Sequence, residues 1–245
     1  MATTDPGLRE DSQASGHEAR WEQHNSERRS RILLAAVELL EEAPAGTDVS
    51  VRQISARAGL AKSVVYRQFE GREDLDRRIR SHLIDEFSRT LEDRLDISHG
   101  SFEEIIVRTI RAVADWMVDH PRLDEFARTG PTHEGPPDVD AVTALKLRMS
   151  QRAQEVLTSI ASQVGVDIGD GIFDTLPFAL VTMVEGTLRH WVHNPAPVRS
   201  REQIVDELAT LTRYALDGAI RSVGLTVDPR TELTELIAQL SARED

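Results

Sequence analysis

Residues 50–75 read SVRQISARAGLAKSVVYRQFEGREDL, and this stretch decides the fold. Ile54, Val65 and Phe69 are spaced so that two short helices can share one small core. Gly59 lies where the first helix must end, because glycine readily adopts the left-handed conformation that closes a helix. The pattern therefore predicts a helix-turn-helix unit.

Both short helices carry further signals. Ser50 and Gln53 fit a capping box at the start of the first helix. The second helix is predicted from about Lys62 to Phe69, with Val65 and Phe69 inward. Its outward side then carries Lys62, Ser63, Val64, Arg67 and Gln68. In such a unit the second helix enters the major groove, so we expect double-stranded DNA as a partner. An ordinary helical hairpin with solvated arginines is the alternative.

Residues 30–78 resemble the N-terminal DNA-binding domain of the TetR family of bacterial transcriptional repressors. The resemblance rests on I-S-x-x-A-G-L at 54–60, K-S-V-V-Y-R-Q-F at 62–69 and R-E-D-L at 72–75. Family members usually have Ser or Thr where Ala61 stands, and this loss of a helix cap costs about 1 kcal/mol.

The resemblance implies a role for each matching position. Tyr66 would donate its hydroxyl to a backbone phosphate, and Arg72 and the backbone of Ser50 would also contact phosphate. Arg52, early in the first helix, could reach the groove. The residues implied to face base edges are Lys62, Ser63, Val64, Arg67 and Gln68. Which arginine reads a base and which holds phosphate stays open at this point.

The net charge of -13 is unevenly distributed along the chain. Residues 27–78 contain ten Lys and Arg against nine Asp and Glu, whereas residues 79–245 contain 17 against 28. A near-neutral DNA-reading unit attached to an acidic body can still present its arginines to phosphate.

The rest of the chain predicts an all-α fold. Residues 1–25 have little to bury and predict a disordered N-terminal arm, followed by a three-helix helix-turn-helix domain at 26–71. The family resemblance implies that the larger helical domain at 72–245 binds a ligand and dimerises. Its helical periods lie at 72–96, 101–119, 139–164, 172–193, 201–223 and 229–242, without an alternating strand pattern.

Two helices near the C-terminus predict a homodimer. The helix at 172–193 is apolar nearly all round, through Leu176, Leu180, Met183, Val184, Leu188 and Trp191. The helix at 201–223 adds Ile204, Leu208, Leu211, Ala215 and Ile220. Two such helices per chain can form a four-helix interface across a twofold axis. Burial of both helices inside one monomer is the alternative.

Aromatic and flexible side chains near the centre of the body predict a mainly apolar pocket for a small-molecule effector. The candidate ligand-binding residues are Trp116, His120, Phe126, Met149, Phe178, Met183 and His190. Each of these residues can instead belong to the hydrophobic core without contacting a ligand.

Composition excludes several other functions. The chain has no cysteine, which excludes disulfides, thiolate zinc sites and cysteine nucleophiles. No apolar run approaches the ~20 residues of a membrane span, and the N-terminus lacks a signal sequence, so we expect a cytoplasmic protein without a membrane partner. No catalytic constellation, cofactor or metal is expected.

The sequence thus predicts a non-enzymatic repressor, released from a palindromic operator when a small, largely apolar molecule binds. Two alternatives remain. One is a ligand-independent dimeric DNA-binding protein. The other, less favoured, is a helical metal-binding enzyme that uses His190 and His193, which lie three apart with Glu185 nearby.

Overall fold

The computed structural model describes residues 7–44, 46–168 and 171–241, with side chains from residue 23 onward except for 240 and 241. Within these ranges the chain forms ten α-helices, and the only β-type pairing is an isolated bridge between Ser101 and Glu232. The predicted all-α fold is confirmed. The helices are α1 (Gly7–Glu42), α2 (Val51–Arg57), α3 (Lys62–Gln68), α4 (Arg72–Arg94), α5 (Phe102–Asp119), α6 (Pro121–Ala127), α7 (Ala141–Gln163), α8 (Ile172–Val192), α9 (Arg201–Ser222) and α10 (Leu233–Ser241).

The N-terminus differs from the prediction. Helix α1 begins at Gly7, so residues 7–25 are helical where the sequence predicted a disordered arm; residues 1–6 lie outside the described ranges. Side-chain pairs one turn apart support such a polar helix. Gln23 Nε2 donates to Glu27 Oε1 at 3.2 Å, and His24 Nδ1 lies 3.5 Å from the other Glu27 oxygen. Disorder was predicted because this segment has few apolar side chains to bury, and side-chain pairs one turn apart were not taken into account.

Helix α6 was also missed, because the predicted helical periods left a gap between residues 119 and 139. Pro121 occupies the first turn of α6, where its fixed φ favours a helix and its missing N–H costs nothing. Leu123 and Ala127, four residues apart, are buried. These two signals would have identified the helix.

The chain divides into two compact units, with the division between His82 and Leu83, inside α4. The sequence placed the domain boundary eleven residues earlier, where α4 begins. One continuous helix therefore belongs to both units.

The first unit has a small core built by α1, α2, α3 and the first half of α4. Its most buried side chains are Ile32, Ala36, Ile54, Val65, Leu75 and Ile79. Ser50 and Gln53 form the predicted capping box, and Gly59 has a φ of +65° just after α2. This glycine lets the chain turn directly from α2 into α3.

The second unit is a bundle in which α5 packs on α8 and α9, and α7 packs on α8. Helices α7 and α8 run antiparallel. Lys146, early in α7, pairs with Glu185 late in α8, whereas Leu157, late in α7, packs near Phe173 and Leu176 early in α8. This arrangement encloses the cavity described below.

Candidate DNA-binding surface and effector cavity

Helix α3 buries one side and presents the other to solvent. Val65 and Phe69 are only 2% and 5% exposed and hold the helix against the core. The exposed predicted residues of α3 are Lys62, Ser63, Tyr66 and Arg67, and Val64 is half-buried. The Lys62 ammonium lies 5.5 Å from the centre of the Tyr66 ring, within the range of a cation–π contact. The exposed side of α3 is thus positively charged and carries one aromatic hydroxyl.

Several arginines of the first unit are engaged by the protein itself. Arg31 Nη2 donates to the Ala58 carbonyl at 2.6 Å and so caps the end of α2. Arg57, in the last turn of α2, bonds to Glu38 and Glu42 of α1. The hydrogen bond from Arg57 keeps the pKa of Glu42 below its usual value. These arginines hold α2 against α1.

Other cations of this unit have no hydrogen bond or ion pair among the residues that the structure describes. They are Arg28 and Arg29 on α1, Arg52 on α2, and Lys62 and Arg67 on α3. Arg52, Lys62 and Arg67 are exposed and lie in the two helices of the helix-turn-helix. Their charges remain available to phosphates or base edges.

Three residues with implied DNA contacts already have partners in the protein. The Ser50 N–H donates to Gln53 Oε1 at 2.9 Å, and Gln68 Nε2 donates to Asn25 Oδ1 on α1 at 3.1 Å. Arg72 Nη1 donates to the Val49 carbonyl at 2.5 Å, and its Nε bonds to Asp76. A DNA contact by any of these groups competes with an existing hydrogen bond.

A mainly apolar cavity of about 220 Å³ lies inside the second unit. After the ligand role predicted from the sequence, we call it the effector cavity; α4, α5, α7 and α8 supply most of its wall, through residues such as Phe87, Ile106, Trp116, Met149 and Val181. The stacked rings of Phe87 and Trp116, with centroids 4.5 Å apart, form part of this wall.

The structure places only two of the seven candidate ligand residues, Trp116 and Met149, on the cavity wall. His120 ends α5, and Phe178 and His190 are exposed on α8. The candidates outside the described cavity lining are His120, Phe126, Phe178, Met183 and His190. Aromatic or flexible character did not separate wall residues from surface and core residues.

The sequence reading also missed the polar part of the wall. Asp124, Arg128, Lys146 and Glu185 line the cavity and contact one another, and we call them the charged cluster. The available signal was a charged residue within a buried apolar helical face, such as Lys146 between Leu145 and Met149.

The alternative metal site is not assembled. Glu185 faces Arg128 and Lys146, and His193 Nδ1 lies 2.9 Å from the Arg189 carbonyl. Across the described ranges, no three His, Asp or Glu side chains come together as a metal-binding group.

Four of the eleven residues predicted for the dimer interface belong to the buried core of the second unit instead. Leu176, Leu188, Ile204 and Leu208 are buried within one chain. The reason is that α5 covers the same sides of α8 and α9. The large apolar side chains that α8 and α9 leave exposed are Ile172, Phe178, Leu211 and Tyr214.

Residues 32–79 match the family model of the bacterial regulatory proteins of the tetR family. The chain carries a TetR-family DNA-binding domain. The matched segment contains α2, α3 and the start of α4, so the resemblance predicted from the sequence is confirmed. Residues 32–79 are thus similar to the DNA-binding domain of these regulators, whereas no curated protein matches the sequence.

Solved structures share the TetR architecture over both units. A tetR-family transcriptional regulator from Streptomyces coelicolor is 18% identical, with 89% of each chain covered and a TM-score of 0.60. FadR from Bacillus subtilis, solved in complex with stearoyl-CoA, is 15% identical over 75% of this chain and 96% of its own, with a TM-score of 0.54. FadR from Bacillus halodurans is 13% identical over 76% of this chain and 94% of its own, with a TM-score of 0.54. At these identities the likeness shows a common fold.

None of the described helices combines the length and the apolar character that crossing a bilayer requires.

Proposed function

We propose that the protein is a homodimeric repressor that leaves a palindromic operator when a small, largely apolar molecule fills the effector cavity. The observation that carries the proposal is the cavity itself, whose wall is apolar apart from the charged cluster and two threonines. Natural ligand sites combine such walls with a few polar anchors. The B. subtilis FadR complex, which holds stearoyl-CoA, supports a ligand role for this fold.

The DNA side of the proposal rests on the exposed cations that have no hydrogen bond or ion pair among the described residues. Arg52, Lys62 and Arg67 are exposed on α2 and α3, whereas the other arginines of these helices and of the start of α4 are engaged within the protein. An arginine fork can read guanine, and a lysine can neutralise phosphate. The cytoplasm, where bacterial DNA is accessible, is the proposed location.

The dimer is supported by the apolar residues left on α8 and α9. Phe178 is 43% exposed, Leu211 51% and Tyr214 58%. Gly186 and Gly218 have open space beside their α-carbons, so two helices can approach closely there. Paired helix-turn-helix units read half-sites related by a twofold axis, which requires a dimer.

Helix α4 provides the link between the effector cavity and the DNA-binding unit. Its first half contributes Leu75 and Ile79 to the core of the first unit, and its second half contributes Phe87 and Leu91 to the cavity wall. An effector that prefers a different position of α4 would change the spacing of the two recognition helices. Coupling of about 1–3 kcal/mol is typical of such regulators.

The test is selection of the full-length protein against random duplex DNA at a stated moderate salt concentration. We expect enrichment of a palindrome, followed by release of that duplex when a cavity ligand is added. A folded dimer that enriches no sequence would overturn the repressor function. A palindrome that is bound equally with and without cavity ligands would instead identify a ligand-independent DNA-binding protein.

A further inference from the structure

The effector cavity is elongated, and its polar groups are concentrated at one end. Along α7 its wall extends from Val142 to Ile160, and along α5 from Phe102 to Met117. At 1.5 Å per residue these segments span more than about 20 Å. The charged cluster lies at the end formed by α6, the start of α7 and the end of α8.

The opposite end is apolar and continues toward a second space. A smaller cavity of about 60 Å³ shares Phe102, Leu157, Ile160 and Leu233 with the wall of the effector cavity. At roughly 30 Å³ for each water-sized group, the effector cavity itself holds about seven such groups. This volume suits an unbranched chain of about eight heavy atoms, which is shorter than the wall segments and would occupy the part of the cavity next to the charged cluster.

The charged cluster is electrically balanced. Arg128 makes a two-point contact with Asp124, at 3.0 Å from Nε and 2.9 Å from Nη2. Its Nη1 lies 2.8 Å from Glu185 Oε1, and Lys146 Nζ lies 3.5 Å from Glu185 Oε2. Two acids therefore face two bases, all largely buried. A charged ligand group brought into this site would add a charge without a partner, which is costly in an apolar setting.

The cluster nevertheless retains hydrogen-bonding capacity. The contact between Lys146 and Glu185 is longer than an ordinary hydrogen bond, so the ammonium keeps donors for another acceptor. Glu185 Oε1 is held by Arg128 at 2.8 Å, whereas Glu185 Oε2 has only Lys146, at 3.5 Å, as a polar contact among the described residues and so can accept from another donor. One donor and one acceptor are thus available side by side.

From these observations we infer that the effector is an unbranched apolar chain ending in an uncharged group that both donates and accepts hydrogen bonds, such as a primary amide or a hydroxyl. The amide oxygen accepts from Lys146, its N–H donates to Glu185, and the chain extends toward Leu157. This inference rests on the proposed function, because it assigns the chemistry of the effector to the same cavity.

A series with one chain and four head groups tests the inference. Octanamide, 1-octanol, octanoate and octylammonium are titrated into the full-length protein, and binding is measured by calorimetry and by the shift in melting temperature. We expect octanamide and octanol to bind at least tenfold more tightly than the two ions. Tighter binding of octanoate, or no saturable binding by any member, would overturn the inference.

Two charge variants give a readout that a purely structural role would not produce. Glu185→Gln leaves the cluster with one extra positive charge, so octanoate should gain at least tenfold in affinity. Lys146→Met leaves one extra negative charge, so octylammonium should gain instead. Arg152→Met, on the exposed side of α7, is the matched control and should change neither preference. If both cluster variants bind the four probes like the wild type, the assigned head-group site is wrong.

A cavity-filling variant keeps the inference testable if a cluster variant does not fold. Ala153 lines the cavity away from the charged cluster, and Ala153→Leu shortens the space for the chain. It should abolish octanamide binding, whereas the Arg152→Met control should bind octanamide like the wild type. Operator binding measured on the same samples distinguishes failure of the inferred ligand class from failure of effector-controlled repression. Octanamide that binds without releasing DNA supports the ligand class and contradicts effector-controlled repression.

Discussion

Arg72 Nη1 donates a hydrogen bond of 2.5 Å to the main-chain carbonyl of Val49. Val49 is 4% exposed and directly precedes Ser50, the N-cap of α2, whereas Arg72 is the first residue of α4. Asp76, one turn further along α4, holds the same guanidinium at 2.8 Å. The contact therefore closes the helix-turn-helix by joining the start of α4 to the start of α2.

The first prediction concerns this contact. Arg72→Ala should lower the free energy of unfolding by about 1 kcal/mol, because a charged hydrogen bond to a carbonyl is lost from a partly exposed site. The salt dependence of DNA binding should stay unchanged, since the guanidinium is already used inside the protein. The phosphate contact that the family resemblance implies for Arg72 would instead give this variant a flatter salt slope.

Urea unfolding and binding titrations at several salt concentrations measure the two effects of Arg72→Ala separately. Arg77→Ala is the control, because Arg77 pairs only with the exposed Glu73 among the described residues. A salt slope reduced by about one, without loss of stability, would assign Arg72 to phosphate instead.

The second prediction separates base reading from phosphate binding on α3. Arg67→Ala should reduce the preference for the selected operator over a scrambled duplex by about 1–3 kcal/mol, because a guanidinium fork can read guanine. Lys62→Ala should weaken binding to both duplexes alike and reduce the salt slope by about one. Fluorescence anisotropy with both duplexes measures these effects.

Arg89→Ala, outside the helix-turn-helix, is the control for both variants and should bind like the wild type. Equal losses on the selected and scrambled duplexes for Arg67→Ala would remove Arg67 from base recognition.

The sequence predicted the helices well because their signals are local. The Ser50–Gln53 capping box, the Gly59 turn and the buried pair Val65 and Phe69 all depend on residues within one turn of each other. Five predicted body helices begin and end within four residues of the observed α4, α5, α7, α8 and α9. Local periodicity and capping were sufficient for these elements.

Contacts between distant segments could not be predicted. Arg31 reaches Ala58, 27 positions away, and Gln68 reaches Asn25, 43 positions away. The partners of Lys146 likewise depend on how α7 packs against α8. Phe178 was selected as a ligand residue for its aromatic ring, yet packing leaves it on the surface. Which side of a helix faces a cavity is decided by tertiary packing, which a single sequence does not specify.

The third prediction tests the dimer. Leu211→Glu places a charge on the exposed apolar side of α9 and should shift the protein from dimer to monomer at micromolar concentration, because an interface core excludes unpaired charge. Operator affinity should fall when the dimer is lost, because binding to two half-sites requires two linked DNA-binding units. Analytical ultracentrifugation measures the molecular mass in solution.

Leu147→Glu is the matched control for the dimer test, because Leu147 is 43% exposed but lies on α7. It should remain dimeric. A dimeric Leu211→Glu variant with normal operator affinity would move the interface away from this part of α9.

The fourth prediction concerns a buried hydroxyl on the wall of the effector cavity. Thr212, in α9, is 7% exposed, and its Oγ1 has no hydrogen-bond partner among the residues that the structure describes. A buried hydroxyl without a partner costs free energy, and valine has nearly the same shape without it. Thr212→Val should therefore raise the free energy of unfolding by about 1 kcal/mol in the absence of effector.

Thr109→Val is the control for Thr212→Val, because Thr109 also lines the cavity but donates to the Ile105 carbonyl at 2.8 Å. Its removal should bring no gain in stability, since a satisfied hydroxyl is lost. Urea unfolding followed by tryptophan fluorescence compares the two variants with the wild type. If Thr212→Val lowers stability, the Thr212 hydroxyl has a hydrogen-bond partner in solution. The hydroxyl would then be a polar anchor of the cavity in addition to the charged cluster.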